Sequence, residues 1–243
     1  MNLILDVGNS FAKLAVFQHN ELLEKQTVEK RQLQEKAVEF LNRFPDISKI
    51  ILSQVARAEF SLPQELVEKV KFVLLGPQTK MPFTNLYASP LSLGNDRKAL
   101  AAAAAKAYPD RNVLVIDAGT CLTFDFKNAQ NEYLGGAISP GLKMRYRALN
   151  EFTDNLPLLE PLYEVNLIGD STVNSMNSGV YLGMLKEIEG IIEEYRAEYQ
   201  DLMIIFTGGD AQILSMRLKN GIFANSNFLL EGLNYILEIN TIQ

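Results

Sequence analysis

The chain has one cysteine, one histidine and no tryptophan among its 243 residues. A lone Cys121 excludes an internal disulfide. One His with one Cys cannot supply the ligands of an ordinary zinc site. A Ser-His-Asp hydrolase would have to use His19, which lies in Gln18-His19-Asn20-Glu21, a stretch that reads as a hairpin turn. Long apolar runs are lacking too. None approaches the roughly 18 residues that cross a bilayer, and Asp6 interrupts the one apolar segment near the N-terminus, so neither a membrane span nor a secretory signal is expected. Positive charge is short, with 23 Lys and Arg against 29 Asp and Glu and a net charge of -6. Nucleic-acid binders need a basic surplus, and the densest basic cluster here, Lys143, Arg145 and Arg147, reads as a solvated face. Neither G-x-x-x-x-G-K-[ST] nor G-x-G-x-x-G occurs, which removes the Walker loop and the dinucleotide fingerprint. The expectation is a cytoplasmic protein with no membrane or nucleic-acid partner.

What is present is a repeat. Leu3-Ile4-Leu5-Asp6-Val7-Gly8-Asn9-Ser10 returns as Val115-Ile116-Asp117-Ala118-Gly119-Thr120-Cys121. Each copy is an apolar run, an Asp, a small-residue turn with Gly, and a residue bearing an amide or hydroxyl. Asp6 and Asp117 lie 111 residues apart, close to half the chain. Hydrophobic residues at 47% and charged residues at 21% are enough to bury a core,, and the repeat favours two domains over one. A doubled Asp-x-Gly turn suggests two similar lobes closing on one ligand, and Asp, Gly and hydroxyl at such a turn suit a metal-bound phosphate.

Period two continues after each turn. Phe11, Lys13, Ala15 and Phe17 alternate with Ala12, Leu14 and Val16, and Leu122, Phe124 and Phe126 alternate with Cys121, Thr123 and Asp125. Each motif is therefore the turn of a β-hairpin. Leu33, Ala37, Phe40, Leu41 and Phe44 form a helical stripe closed by Pro45. Residues 47–55 and 71–75 read as strands, and residues 76–90, with Pro77, Pro82 and Pro90, as an irregular loop. The alanine run at 101–105 lies in a helix from Asn95 to Tyr108. Gly135, Gly136, Pro140 and Gly141 read as a tight loop. Ser171 or Thr172 caps a long helix that turns Met176, Val180, Met184, Ile188, Ile191 and Tyr195 inward. A strand at 202–206, the turn Thr207-Gly208-Gly209-Asp210 and a terminal helix at 228–239 complete an α/β chain. The boundary between lobes falls near residue 110.

Each motif has a plain structural reading beside the functional one. Gly8 lets the backbone approach a ligand closely, exposed N–H groups in such a turn cradle phosphate oxygens, and Asp6 can hold Mg²⁺ through water. The plain reading is an ordinary Asp/Gly/Asn hairpin turn. Thr120 can offer its hydroxyl to a phosphate and Asp117 can bind a cation. Two such carboxylates lining one site would repel ATP unless cations filled it. Gly94-Asn95-Asp96-Arg97 opens a helix, where Asp96 serves as a cap or as a general base beside an anion clamp. Thr172 reads as a cap, Tyr87 as packing or a ligand contact, and Thr207-Gly208-Gly209 as a common turn.

In order, these motifs resemble the type III pantothenate kinases, of the acetate kinase/sugar kinase/heat-shock protein 70/actin superfamily. The resemblance runs over nearly the whole chain. It covers Asp6-Val7-Gly8-Asn9-Ser10, Tyr87-x-x-Pro90 leading to Gly94-Asn95-Asp96-Arg97, Asp117 to Asp125, Gly135-Gly136-Ala137-Ile138-Ser139-Pro140-Gly141, Asp170-Ser171-Thr172 and Thr207-Gly208-Gly209. Cys121 departs from the alanine more often found there. The resemblance implies two ribonuclease H-like, actin-like lobes at 1–110 and 111–243, each a mixed sheet with flanking helices. It implies ATP-dependent phosphorylation of pantothenate to 4′-phosphopantothenate, the first step toward coenzyme A, with Asp96 as proton acceptor. Asp6, Val7, Gly8, Asn9, Ser10, Phe11, Ala12, Lys13 and Thr120 would hold ATP. Tyr87, Gly94, Asn95, Asp96, Arg97 and Thr172 would line the pantothenate site. Asp117 would bind a monovalent cation, K⁺ or NH₄⁺, while Mg²⁺ accompanies ATP, held by Asp6 through water, and the enzyme would be a homodimer. Another small-molecule kinase of the superfamily and a non-catalytic nucleotide-binding regulatory protein are the alternatives.

Overall fold

The computed structural model describes residues 1–8, 11–54, 68–218 and 223–241. In chain order the elements are β1 (Asn2–Val7), β2 (Phe11–Gln18), β3 (Glu21–Glu29), α1 (Leu33–Arg43), β4 (Lys49–Gln54), β5 (Lys71–Leu74), β6 (Thr84–Asn85), α2 (Asn95–Ala107), β7 (Val113–Ala118), β8 (Cys121–Lys127), β9 (Glu132–Pro140), α3 (Leu142–Glu151), α4 (Thr172–Asn177), a π-helical turn (Ser178–Leu182), α5 (Gly183–Glu198), β10 (Met203–Thr207), α6 (Ala211–Ser215), β11 (Phe223–Ala224) and α7 (Phe228–Thr241). They fall into two compact units. One gathers Met1–Pro109, Asn131–Tyr133 and Asn227–Gln243, and the other gathers Asp110–Gln130 and Leu134–Ser226.

The first unit is built on a five-stranded sheet in the order β3-β2-β1-β4-β5. β1 pairs antiparallel with β2 and parallel with β4. Every residue of β1 is buried, which is why its sequence is a nearly unbroken apolar run rather than an alternating one. The edge strand β3 carries Glu21, Glu24, Lys25 and Glu29, and charge on an edge opposes pairing with another chain. Leu33, Ala37, Phe40 and Leu41 of α1 pack on Leu3, Leu5, Leu14, Ile50 and Leu52, so the stripe read from spacing is the buried face.

The alanine run of α2 packs against α7. A Cβ on Gly232 would lie 1.9 Å from the carbonyl oxygen of Ala99, so the two backbones nearly touch. Polar groups fasten α7 further. Asn2 Nδ2 donates to Asn234 Oδ1 and to Glu238 Oε1 at 2.7 and 2.6 Å. Asn234 Nδ2 donates to the carbonyl of His19 at 2.8 Å, and Lys49 Nζ reaches Glu238 Oε2 at 2.8 Å. The terminal helix thus belongs with the first strands of the chain. The loop over residues 76–90 holds a two-residue strand, β6, which pairs with Glu132 and Tyr133 at the start of β9.

The second unit repeats the strand order as β9-β8-β7-β10-β11. β7 is antiparallel to β8 and parallel to β10. The doubled sentence in the sequence is therefore a doubled topology. Leu114, Ile116, Phe124 and Phe126 from the sheet meet Tyr146 of α3 and Met184, Ile188 and Ile192 of α5. The helix expected from residue 172 is interrupted by the π-helical turn, and Ser171 rather than Thr172 is its cap, Ser171 Oγ accepting from the Asn174 N–H at 3.2 Å. The tight loop expected around Gly135 and Gly136 is instead strand β9. A Cβ on Gly136, whose φ is +155°, would fall 1.8 Å from the carbonyl oxygen of Phe124. Gly136 allows a close backbone approach within the sheet, a role that sequence punctuation does not separate from a turn,.

Gly232 gives a test of the packing. Alanine there should gain up to about 1 kcal/mol of helix propensity, but overpacking typically costs about 1–3 kcal/mol. Gly232→Ala should therefore unfold at lower urea concentration. A raised midpoint would show that α2 and α7 separate freely.

Candidate active site

Asp6 sits one residue from the end of β1, opposite Lys13 on β2 and Ser53 on β4. Residues directly opposite across strands share a face, so Lys13, Asp6 and Ser53 form one polar row in an apolar sheet. Ser53 is 1% exposed, and its Oγ donates to Asp6 Oδ1 at 3.0 Å. Burial pushes the Asp6 carboxyl above its ordinary value, Lys13 and the Ser53 hydrogen bond oppose this, and Asp96 adds to it. In the turn, Gly8 N–H donates to the carbonyl of Phe11 at 3.0 Å. Val7 and Ala12 are buried and Phe11 is exposed, while Asn9 and Ser10 lie outside the described residues. Ser53 was not among the sequence candidates. Its one signal is a Ser-Gln pair closing the apolar strand Ile50-Ile51-Leu52, where a buried hydroxyl needs a partner.

Asp96 stands in the first turn of α2, whose N-cap is Gly94. Its Oδ1 accepts from the Arg97 N–H at 2.8 Å, but Asp96 lies inside the first turn and is not the cap. A Cβ on Gly94 would lie 2.4 Å from that same Oδ1. Glycine here makes room for the carboxylate to fold back over the helix end. Asn95 uses its side chain as a tie, Nδ2 donating to the carbonyls of Gln54 and Leu75 at 3.2 Å each and Oδ1 accepting from Lys98 Nζ at 3.3 Å. This fastens the start of α2 to the chain leaving β4 and β5, and so sets where Asp96 and Arg97 stand.

Arg97 is 5% exposed. Its guanidinium carbon lies 5.5 Å from the Tyr87 ring centre and 6.0 Å from that of Tyr133, within the range of cation–π attraction. Tyr133 carried no sequence signal, because it is one aromatic in a strand. The β6–β9 pairing sets it opposite Asn85, and its carbonyl accepts from the Leu86 N–H at 3.0 Å. Asp6, Lys13 and Asp96 thus come together in the first unit, with Arg97 and Tyr87 beside the helix start.

In the second unit Asp117 occupies the position equivalent to Asp6, but the residues opposite it are Thr123 and Thr207. The turn is also shorter by one residue, Gly119 N–H bonding the Cys121 carbonyl at 3.0 Å. Thr120 is exposed at its tip. Two other segments press on this turn. Gly208, with φ +99°, would put a Cβ 2.3 Å from Asp117 Oδ1, and Gly141, just before α3, would put one 2.3 Å from the Thr120 carbonyl. Asp210 N–H donates to the Ala118 carbonyl at 3.0 Å; burial raises its carboxyl, with Lys143 opposing. Thr207-Gly208-Gly209 is the expected turn between strand and helix, and it also packs directly on the Asp117 turn. Thr172 is exposed and lines a mostly apolar groove of about 1130 Å³ with Met144, Ala148, Met176 and Val180. Among the described residues no three His, Cys, Asp or Glu side chains converge on a metal-sized point, and no helix is long and apolar enough to cross a membrane.

Two units with one strand order, each ending its central strand in an Asp-x-Gly hairpin turn, define an actin-like kinase fold of the sugar-kinase type. A solved ROK hexokinase of Thermus thermophilus matches it with a TM-score of 0.56 over 99% of both chains at 14% identity, which speaks to the fold alone. The family model for type III pantothenate kinase matches residues 2–194. A type III pantothenate kinase of Christiangramia forsetii is 53% identical over 243 residues, all of both chains, and one of Flavobacterium johnsoniae is 45% identical over 234 residues, 96% of each. The chain belongs to the type III pantothenate kinase family.

The buried charge of Asp6 predicts a stability effect. Asn keeps an oxygen for Ser53 and removes the charge, so the ligand-free Asp6→Asn protein should melt higher than the parent at pH 7. A gain of about 1 kcal/mol would appear as about 2–4 °C at this chain length. An unchanged or lower melting temperature would show that Lys13 already offsets the burial.

Proposed function

We propose that this protein transfers the γ-phosphoryl group of ATP to the hydroxyl of pantothenate, giving 4′-phosphopantothenate, the first step of coenzyme A biosynthesis. Membership of the family supports the reaction. The observation that carries it is the Asp96 carboxylate, held over Gly94 at the start of α2 and close enough to Asp6 to raise its pKa. Asp96 takes the proton of the acceptor hydroxyl as the new P–O bond forms. Phosphoryl transfer has a loose transition state, so the remaining work is positioning and charge neutralisation. Asp6 to Lys13 and Thr120 hold ATP. Tyr87, Gly94, Asn95, Arg97 and Thr172 hold pantothenate, with the Arg97 guanidinium binding its carboxylate. The expected lobes, 1–110 and 111–243, belong to this reading, with Asn227–Gln243 returning to the first unit.

The residues present suit the implied ions. A buried carboxylate with one oxygen held by the Ser53 hydroxyl leaves the other for a hard cation that keeps its waters, so Asp6 would hold Mg²⁺ through water,. Mg²⁺ would neutralise phosphate charge. Asp117, opposite Thr123 and Thr207, would seat K⁺ or NH₄⁺. The apolar groove at Thr172, with Phe152 83% exposed at its edge, supports a homodimer,. The cytoplasm is the expected compartment. A panel of pantothenate, pantetheine, acetate and hexoses separates this activity from that of another small-molecule kinase. ATP binding without turnover of any acceptor would favour a regulatory protein instead.

Asp96→Asn should lower kcat by about 10²–10⁴-fold, the usual worth of a general base, with ATP binding near normal by calorimetry. Wild-type turnover would remove Asp96 from that role. Gly94→Ala should act through the same group. The new methyl meets only the end of a side chain, so the melting temperature should hold while the displaced carboxylate costs at least about tenfold in kcat. Activity should also require a monovalent cation, and equal rates in Tris and potassium buffers would exclude one at Asp117.

A further inference from the structure

Ser53 lies in no motif of the repeat, yet it is built into the first turn's chemistry. It stands directly opposite Asp6 in the parallel β1–β4 pair, is 1% exposed, and donates to Asp6 Oδ1 at 3.0 Å. Among the described residues it is the one side chain with a hydrogen bond to that carboxylate. The torsion that turns a carboxylate about its Cβ–Cγ bond is broad and soft. A hydrogen bond to one of the two Asp6 oxygens selects one orientation of the group. Strand register makes that bond dependable, because Ser53 cannot leave its level without breaking the sheet. The hydroxyl is too deeply buried to meet a ligand itself, so it acts through Asp6.

We infer that Ser53 is a positioning residue, whose hydroxyl fixes Asp6 Oδ1 and thereby turns the other carboxylate oxygen toward the hydration shell of the Mg²⁺ that accompanies ATP. The inference rests on the reading of Asp6 as the Mg²⁺ contact. A neighbour that orients a metal-binding carboxylate belongs to the outer shell, whose loss typically weakens metal binding by about 10–100-fold. Because Asp6 acts through water, the lower end applies.

The test is calorimetric titration of the full-length protein with ATP at a series of Mg²⁺ concentrations, without pantothenate. Ser53→Ala should raise the Mg²⁺ needed for half-maximal ATP binding about tenfold, leave ATP binding in EDTA unchanged, and be rescued by Ser53→Thr, which restores the hydroxyl. A purely structural role would instead lower the melting temperature and weaken ATP binding equally with and without Mg²⁺. Either that pattern or an unchanged Mg²⁺ requirement overturns the inference. Should Ser53→Ala fail to fold, Ser53→Cys supplies the same comparison, since a thiol is a weak donor of similar shape. Asp6→Asn separates the two layers. If it keeps the wild-type Mg²⁺ requirement, the reading of Asp6 falls and Ser53 falls with it. If it raises the Mg²⁺ needed while Ser53→Ala does not, the role of Ser53 alone is refuted.

Discussion

A carboxylate buried at the end of a central strand governs how the first unit is built. Asp6 is 7% exposed, and a charge so placed is costly unless neighbours compensate. Lys13 and Ser53 offset part of that cost from both sides because β2 and β4 pair with β1 at the same level. A slip of one residue in β2 would turn Lys13 to the opposite face, and a slip in β4 would do the same to Ser53. The register of three strands is thus coupled to the electrostatics of one side chain. Asn95 extends the coupling by tying the start of α2 to the chain beyond β4 and β5. The helix that carries Asp96 and Arg97 therefore takes its position from the strands that hold Asp6.

The second unit repeats the topology without repeating the charge balance. Asp117 has threonines opposite it, where Asp6 has a lysine and a serine. Its turn is shorter, and the glycines at 141 and 208 let two further segments close on it. One strand plan thus yields two turns of different chemistry. The first is a partly compensated buried carboxylate near a helix start. The second is a crowded turn of backbone oxygens and hydroxyls around a single carboxylate. Equal ancestry of plan does not require equal roles, because roles follow from the side chains that the register sets opposite each Asp.

Much of this was legible in the chain. Period two after each Asp-x-Gly gave the hairpins, and the Leu33, Ala37, Phe40, Leu41 stripe gave the buried face of α1, because both signals are local. Gly135-Gly136 misled for the opposite reason. Glycine is used both where the backbone turns and where another backbone comes close, and only the position of Phe124 distinguishes the two. The cap at α2 fell to Gly94 and left Asp96 within the first turn, bonded to the Arg97 N–H, while at residue 171–172 the neighbouring serine took the cap and left Thr172 in the groove. Ser53 and Tyr133 escaped altogether, because neither breaks the pattern of its strand.

By itself the sequence determined the class of elements, the doubling, the Asp-x-Gly turns and the residues through which the chain resembles its family. These depend on spacing along the chain, which is a one-dimensional property. The tertiary structure alone decided which residues stand beside the two carboxylates, that Tyr87 and Tyr133 flank Arg97, and that the terminal helix returns to the first strands through Asn2, Asn234 and Glu238. Those contacts join residues as much as 236 positions apart. No local propensity encodes such pairings. They are selected when the whole chain satisfies its buried polar groups and fills its core at once.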